Sequence, residues 1–178
     1  MNKIKSFLKV LDITTENTFF TIAFFTGITL TYLEICIYRL TFISFAIPFL
    51  LWMFSGVIIT PLFFKRLPRY LKSNLLVFQF LFNIFTWGGI VIYLFMAPNF
   101  YWGTPNRTSI SLKITDKGTL AKGSSGCGEP YVTVKYEKFD KQIIFPCGTS
   151  TDGFNTVDLT LRRGLFGFET IESKTLSK

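Results

Sequence analysis

Two cysteines, one carboxylate and a short row of polar side chains are the groups in this chain whose type and spacing could do chemistry. Cys127 and Cys147 lie 20 residues apart, each followed by glycine, in stretches that read as loops. Together they could form a structural disulfide closing a loop of about 20 residues, which stabilises a fold by roughly 3 kcal/mol. Taken singly, Cys127 in Gly126-Cys-Gly128 could be a reactive thiol. The disulfide is expected, because a small domain with a thin core gains most from a cross-link. Glu34 stands between two apolar runs and could serve as a buried carboxylate of a proton relay. Gln79, Asn83 and Thr86 follow i, i+4, i+7 spacing and so share one face of a helix.

Other chemistry is excluded by composition. The chain contains no histidine. Ser-His-Asp and Cys-His catalysis, His-ligated metals and the usual physiological acid–base group are therefore absent. Gly123-Ser-Ser-Gly-Cys127 has the outline of a nucleophile elbow, but Cys replaces its last glycine and no histidine partners it. No phosphate-binding Gly-x4-Gly-Lys loop or dinucleotide fingerprint is present. Two tail cysteines without histidine make a poor zinc site. No cofactor or metal is expected. Asn106-Arg-Thr108 is a glycosylation sequon, and Asp116, Glu129, Asp140 and Asp152 read as turn residues.

The elements that must carry these groups divide sharply. Residues 17–33, 40–64 and 73–106 contain no Asp, Glu, Lys or Arg. About 20 apolar residues cross a bilayer, so three transmembrane helices are expected at about 17–33, 40–64 and 74–98. The middle run holds 15 Leu, Ile, Phe or Val residues. Seventeen of the 22 phenylalanines precede residue 107, so the aromatic bias belongs to this membrane region. The first run is the shortest and carries several threonines. Glu34–Arg39 is expected to form a tight surface hairpin after it, because a charge at mid-membrane costs about 2.5–3.5 kcal/mol. Pro98 is expected to end the third span, with Tyr101 and Trp102 in the interfacial aromatic belt. Ala23 and Gly27 form a small-xxx-small pair on the first span.

Charge distribution orients the chain. The net charge is +8, and its densest cluster is Lys65, Arg66, Arg69 and Lys72. Lying between two apolar runs, that cluster reads as a topology anchor on the cytoplasmic side, not as a nucleic-acid surface. With Lys3, Lys5 and Lys9 it places the N-terminal segment, residues 1–16, in the cytoplasm. Three spans then place the tail outside, where an oxidising compartment favours the disulfide.

From residue 107 the apolar period becomes two. Ile110/Leu112/Ile114, Val132/Val134/Tyr136 and Val157/Leu159/Leu161 alternate with polar residues, and Gln142–Phe145 and Leu165–Ile171 complete about five strands. Turns are expected at Asp116-Lys-Gly118, Asp140-Lys141 and Arg163-Gly164, with longer loops at Gly123–Pro130 and Cys147–Gly153. The expected fold is thus an α + β membrane protein, three transmembrane helices followed by a small antiparallel β domain over 107–178.

The expected function is non-catalytic. The spans sit in the plasma membrane and present the extracytoplasmic β domain as an accessory or interaction subunit of a membrane complex. Membrane lipid and a protein partner or second copy are the expected partners, and nucleic acid is not. Gln79, Asn83 and Thr86 are the expected helix-packing or partner-contact residues. An immunity or defence protein, a small oligomeric transporter or channel, and a thiol enzyme at Cys127 are the alternatives.

Overall fold

The computed structural model describes residues 2–73, 75–121 and 126–178, with the backbone alone for 2–14. Lys3, Lys5 and Lys9 fall among those backbone-only residues. Asn74, the expected start of the third span, and Gly123–Ser125 of the elbow-like stretch lie outside the described residues. The chain forms two compact units: residues 1–34 with 45–95, and residues 35–44 with 96–178. The β unit therefore recruits two stretches before residue 107 that sequence assigns to the membrane region.

Three helical stretches are long and apolar enough to cross a membrane: Thr15–Arg39, Ala46–Phe63 and Leu76–Tyr101. Helix α1 runs unbroken over Asn2–Arg39. This corrects the hairpin expected at Glu34–Arg39. No glycine or proline interrupts that stretch, so nothing in it breaks a helix. The reversal falls later, where Thr41 Oγ1 donates to the Ile37 carbonyl at 2.9 Å and satisfies one of the helix's last acceptors. Strand β1 (Thr41–Phe42) follows. The second span consequently starts at Ala46, not Leu40, as helix α2 (Ala46–Phe63). Pro48 lies in its first turn, where its missing N–H costs no helical bond.

Helix α3 (Leu67–Leu71) carries part of the basic cluster, and Lys72 ends it in the left-handed region at φ 51°. Glu16 pairs with Arg69 at 3.4 Å and with Arg66 at 3.9 Å. Thr21 Oγ1 lies 3.0 Å from the Tyr70 hydroxyl. The basic cluster and the first turns of the α1 span thus share one end of the bundle. The third span comprises helix α4 (Leu76–Asn83), a π-helical turn at Ile84–Gly88 and helix α5 (Gly89–Tyr101). Pro98 does not end it. The helix continues to Tyr101, and the Trp102 N–H donates to the Pro98 carbonyl at 3.0 Å.

The bundle closes on small residues. A Cβ on Gly27 would overlap the Phe85 and Thr86 carbonyl oxygens, and one on Gly89 would overlap the Gly27 carbonyl and Thr31 Oγ1. The backbones meet at this crossing, as small residues allow in helix pairs. Phe20, Leu67 and Phe82 form a buried cluster beside it, joined by Phe24, Phe63 and Tyr70.

The β unit is one six-stranded antiparallel sheet, close to a barrel, in the order β1-β6-β5-β2-β3-β4. Its long strands are β2 (Arg107–Thr119), β3 (Pro130–Tyr136), β4 (Phe139–Ile144), β5 (Thr156–Arg163) and β6 (Glu169–Ser177). Alternation builds the core: Val132, Val134, Ile143, Phe145, Val157, Leu159, Leu161 and Ile171 point inward with Phe42 of β1. The β2–β5 pairing is not sequential, so the sheet is not the simple meander that sequence suggests.

Two expected turns are strand. Asp116-Lys-Gly118 lies within β2, which bulges between Ile114 and Asp116 and goes on pairing with β3 as far as Thr119. The β3–β4 turn falls on Glu137-Lys138, with Glu137 at φ 50°, so Asp140 and Lys141 belong to β4. Asp116 and Asp140 are therefore strand residues. The last strand is later than expected too: the Gly164 N–H donates to the Phe168 carbonyl at 2.9 Å, leaving Leu165–Phe168 as the loop before β6.

Candidate functional site

Helix geometry puts Gln79, Asn83 and Thr86 on one buried face of the bundle, each at most 1% exposed. Asn83 Nδ2 donates to Thr60 Oγ1 of α2 at 3.1 Å, and Thr60 Oγ1 donates onward to the Gly56 carbonyl at 2.6 Å. The stripe thus joins α4 to α2 within one chain. Gln79 Oε1, Asn83 Oδ1 and Thr86 Oγ1 have no hydrogen-bond partner among the described residues. Glu34 is buried within the protein, at 5% exposure.

In the β unit, Cys127 and Cys147 are bonded, with Cα atoms 6.1 Å apart, while Cys36 is an exposed free thiol of α1. A disulfide suits an oxidising compartment. Near it the sheet leaves a seam. Strand β4 has a strand neighbour on one side only, while β1 pairs with β6 at Glu169 and Thr170 and the Ile171 N–H donates to the Leu40 carbonyl at 2.7 Å. Between these edges lies a cavity of about 410 Å³ lined by Ile143, Ile144, Phe145, Ile171 and Lys174 together with Cys36 and Leu40, with Arg39 and Glu129 at its margin. Lys141 of β4 donates to the Tyr38 carbonyl at 2.6 Å. Lys174 donates to the Ile144 carbonyl across the seam, and its ammonium lies 5.4 Å from the Phe145 ring centre. Burial pushes the Lys174 pKa down, partly opposed by the Glu129 carboxylate. Arg39 pairs with Glu129 at 3.5 Å.

The edge of β4 has a defined polarity. The Phe145 N–H donates to the Pro130 carbonyl at 2.7 Å. Tyr131 and Ile144 are therefore a non-hydrogen-bonded pair of the ladder, and alternation turns the backbone groups of Asp140, Gln142 and Ile144 toward the open side. At the far end of the seam the Tyr136 hydroxyl donates to Glu169. Burial, then this carboxylate, raises the Tyr136 pKa far above the tyrosine range.

A second groove holds two arginines on one carboxylate. Glu172 accepts from Arg107 Nε at 2.6 Å. Arg162 Nε stands 3.5 Å away on its other oxygen, at ion-pair distance without the alignment of a hydrogen bond. The Arg162 guanidinium also donates to the Phe100 carbonyl at 2.5 Å. Asn106 of the sequon is exposed just before β2.

Of the residues singled out in the sequence, the fold brings together the two cysteines, the three polar residues of the stripe, and the basic cluster at one end of the bundle. It brings none of these sets to the seam. Lys174, Arg39 and Glu129 were missed, because only the closing of the sheet brings β6, the end of α1 and the loop before β3 beside β4. Among the described residues no cluster of three or more His, Cys, Asp or Glu could hold a metal. Set against protein-family models, curated proteins and solved structures, the chain matches none of them.

Proposed function

We propose that this chain is a membrane-anchored, non-catalytic binding protein whose β unit takes up an extended segment of a partner protein at the β4–β6 seam. The N-terminus is cytoplasmic, the β unit lies outside the plasma membrane, and the protein acts as an accessory subunit of a membrane complex. One observation carries this reading: the outer edge of β4, which has no strand neighbour, and the part of β6 beyond its short pairing with β1 face a cavity with an apolar floor. Open edges bind extended chain through main-chain hydrogen bonds, and the side-chain pockets between them select sequence. Lys174, which holds the Ile144 carbonyl in the free protein, would yield that acceptor to an incoming N–H and offer its charge to an acidic side chain.

The test is a photocrosslinking residue at Ile144 in the full-length protein in native membranes, with and without Gln142→Pro. Proline there removes an outward N–H and leaves the β3–β4 ladder intact, since proline is tolerated on strand edges. A discrete adduct that Gln142→Pro reduces at least fivefold, with the unfolding temperature preserved, is expected. An adduct indifferent to Gln142→Pro would sink strand addition.

A small oligomeric transporter is the second reading. The buried carbonyl and hydroxyl oxygens of Gln79, Asn83 and Thr86 without protein partners favour it. Conductance of the purified protein in liposomes, abolished by the triple change to Leu, would establish it.

A further inference from the structure

Leu165 and Phe166 are 53% and 49% exposed, and they are the large apolar side chains that the β strands and their loops leave most open. They sit at the tip between β5 and β6. This tip is fastened to the end of the third span. The Phe166 N–H donates to Asn99 Oδ1 at 3.0 Å, and Asn99 Nδ2 donates to the Phe168 carbonyl at 3.2 Å. Asn99 is fully buried. Gly164 makes the approach possible, because a Cβ there would overlap Asn99. Below the tip, the Thr104 N–H donates to the Arg163 carbonyl at 2.8 Å.

These tethers fix depth. The third span covers 26 residues, about 39 Å at 1.5 Å per residue, longer than the ~30 Å hydrocarbon core and close to the full bilayer with its headgroups. Its end therefore reaches the interfacial layer, where Tyr101 and Trp102, 60% and 70% exposed, fit the aromatic belt. Asn99 precedes Trp102 by three residues, about 4.5 Å deeper along the axis. The tip bonded to Asn99 lies at that level. Arg163, exposed at the base of the tip, and Arg107, with a largely exposed side chain, are placed to meet lipid phosphates.

We propose that the Leu165-Phe166 tip is an interfacial lipid anchor of the β unit, dipping beside Tyr101 and Trp102 into the outer headgroup layer. The proposal rests on the membrane reading of the spans but not on the seam or its partner.

The test uses the full chain with Cys36→Ser, reconstituted in vesicles of phosphatidylcholine and phosphatidylglycerol. An environment-sensitive fluorophore is attached at Leu165→Cys, with Phe166→Cys as a second position. Leu94→Cys on the third span and Ser150→Cys in the loop after Cys147 are the lipid and water references. Nitroxide lipids labelled near the headgroup should quench the tip probes at least threefold more than the Ser150 probe, and iodide at least threefold less. Tip probes that behave like the Ser150 probe, while the Leu94 probe is quenched by lipid, would overturn the anchor alone. A Leu94 probe open to iodide would instead overturn the membrane reading, and the anchor with it.

Discussion

Cys127 and Cys147 act as one unit, so their loss should not add. Cys127→Ser and Cys147→Ser are each expected to cost the β unit about 3 kcal/mol, and the double mutant no more than either, as a shared bond requires. Denaturant unfolding of the four proteins measures this, with thiol alkylation before and after reduction as the check on bonding. Loss of function in Cys127→Ser with unchanged stability would point to a reactive thiol. Lys174 and Tyr136 set the alkaline response. The Lys174 pKa is lowered by burial from its ordinary 10.5. Between its folded value and 10.5 the unfolded chain binds more protons, so stability rises with pH across that window. The Tyr136 pKa is raised from 10.0. Its contribution is complete below pH 10 and is lost above it, where the unfolded tyrosine ionises first. The β unit should therefore gain stability toward pH 10 and lose it beyond. Lys174→Met should flatten the rise, and Tyr136→Phe should remove the fall, in unfolding midpoints followed from pH 8 to 11.

At the level of elements, the closest crossing is between backbones, and it should be the least forgiving. Gly27→Ala forces a methyl against the Phe85 and Thr86 carbonyls, which cannot move aside as a side-chain tip can. It should cost about 1–3 kcal/mol, the range for overpacking. Asn83→Leu removes the bond to Thr60 and should cost about 1 kcal/mol, the scale of one interhelical hydrogen bond in a membrane. It should leave insertion unimpaired, since Leu enters a bilayer more readily than Asn. Detergent unfolding should rank the two in that order; a reversal would mean that the crossing can relax. The sequence made the three long helices legible through uncharged runs, and the strands of the tail through their period of two. It misplaced boundaries wherever tertiary pairing overrode local signals. Asp116-Lys-Gly118 has turn composition, yet β3 pairs straight past it. Glu34 and Arg39 read as a surface hairpin, yet nothing in that stretch breaks a helix. Thr41-Phe42 read as span because both lie in an uncharged run, and only pairing with Thr170 and Glu169 makes them strand. The seam was invisible for the same reason: it depends on which strand lies opposite which.

For the molecule as a whole, topology is the central expectation. A reporter active only outside the cytoplasm should be active when fused after Lys178 and silent when fused at Arg69. Replacing Lys65, Arg66, Arg69 and Lys72 with neutral residues should disturb this orientation, because basic residues hold cytoplasmic loops in place. Identical signals from the two fusions would rule out three spans. The short strand between the first two helices bears on how such a chain is made. Thr41 meets Thr170 and Phe42 meets Glu169, 129 and 127 residues later. At about 5–20 residues per second, a ribosome takes roughly 6–26 s to deliver the partner of a strand it has already released. During that interval the second and third spans are made while Thr41 and Phe42 still lack β6. Any chain stalled before residue 169 would carry that unfilled edge, which would mark it as unfinished to a protease or chaperone.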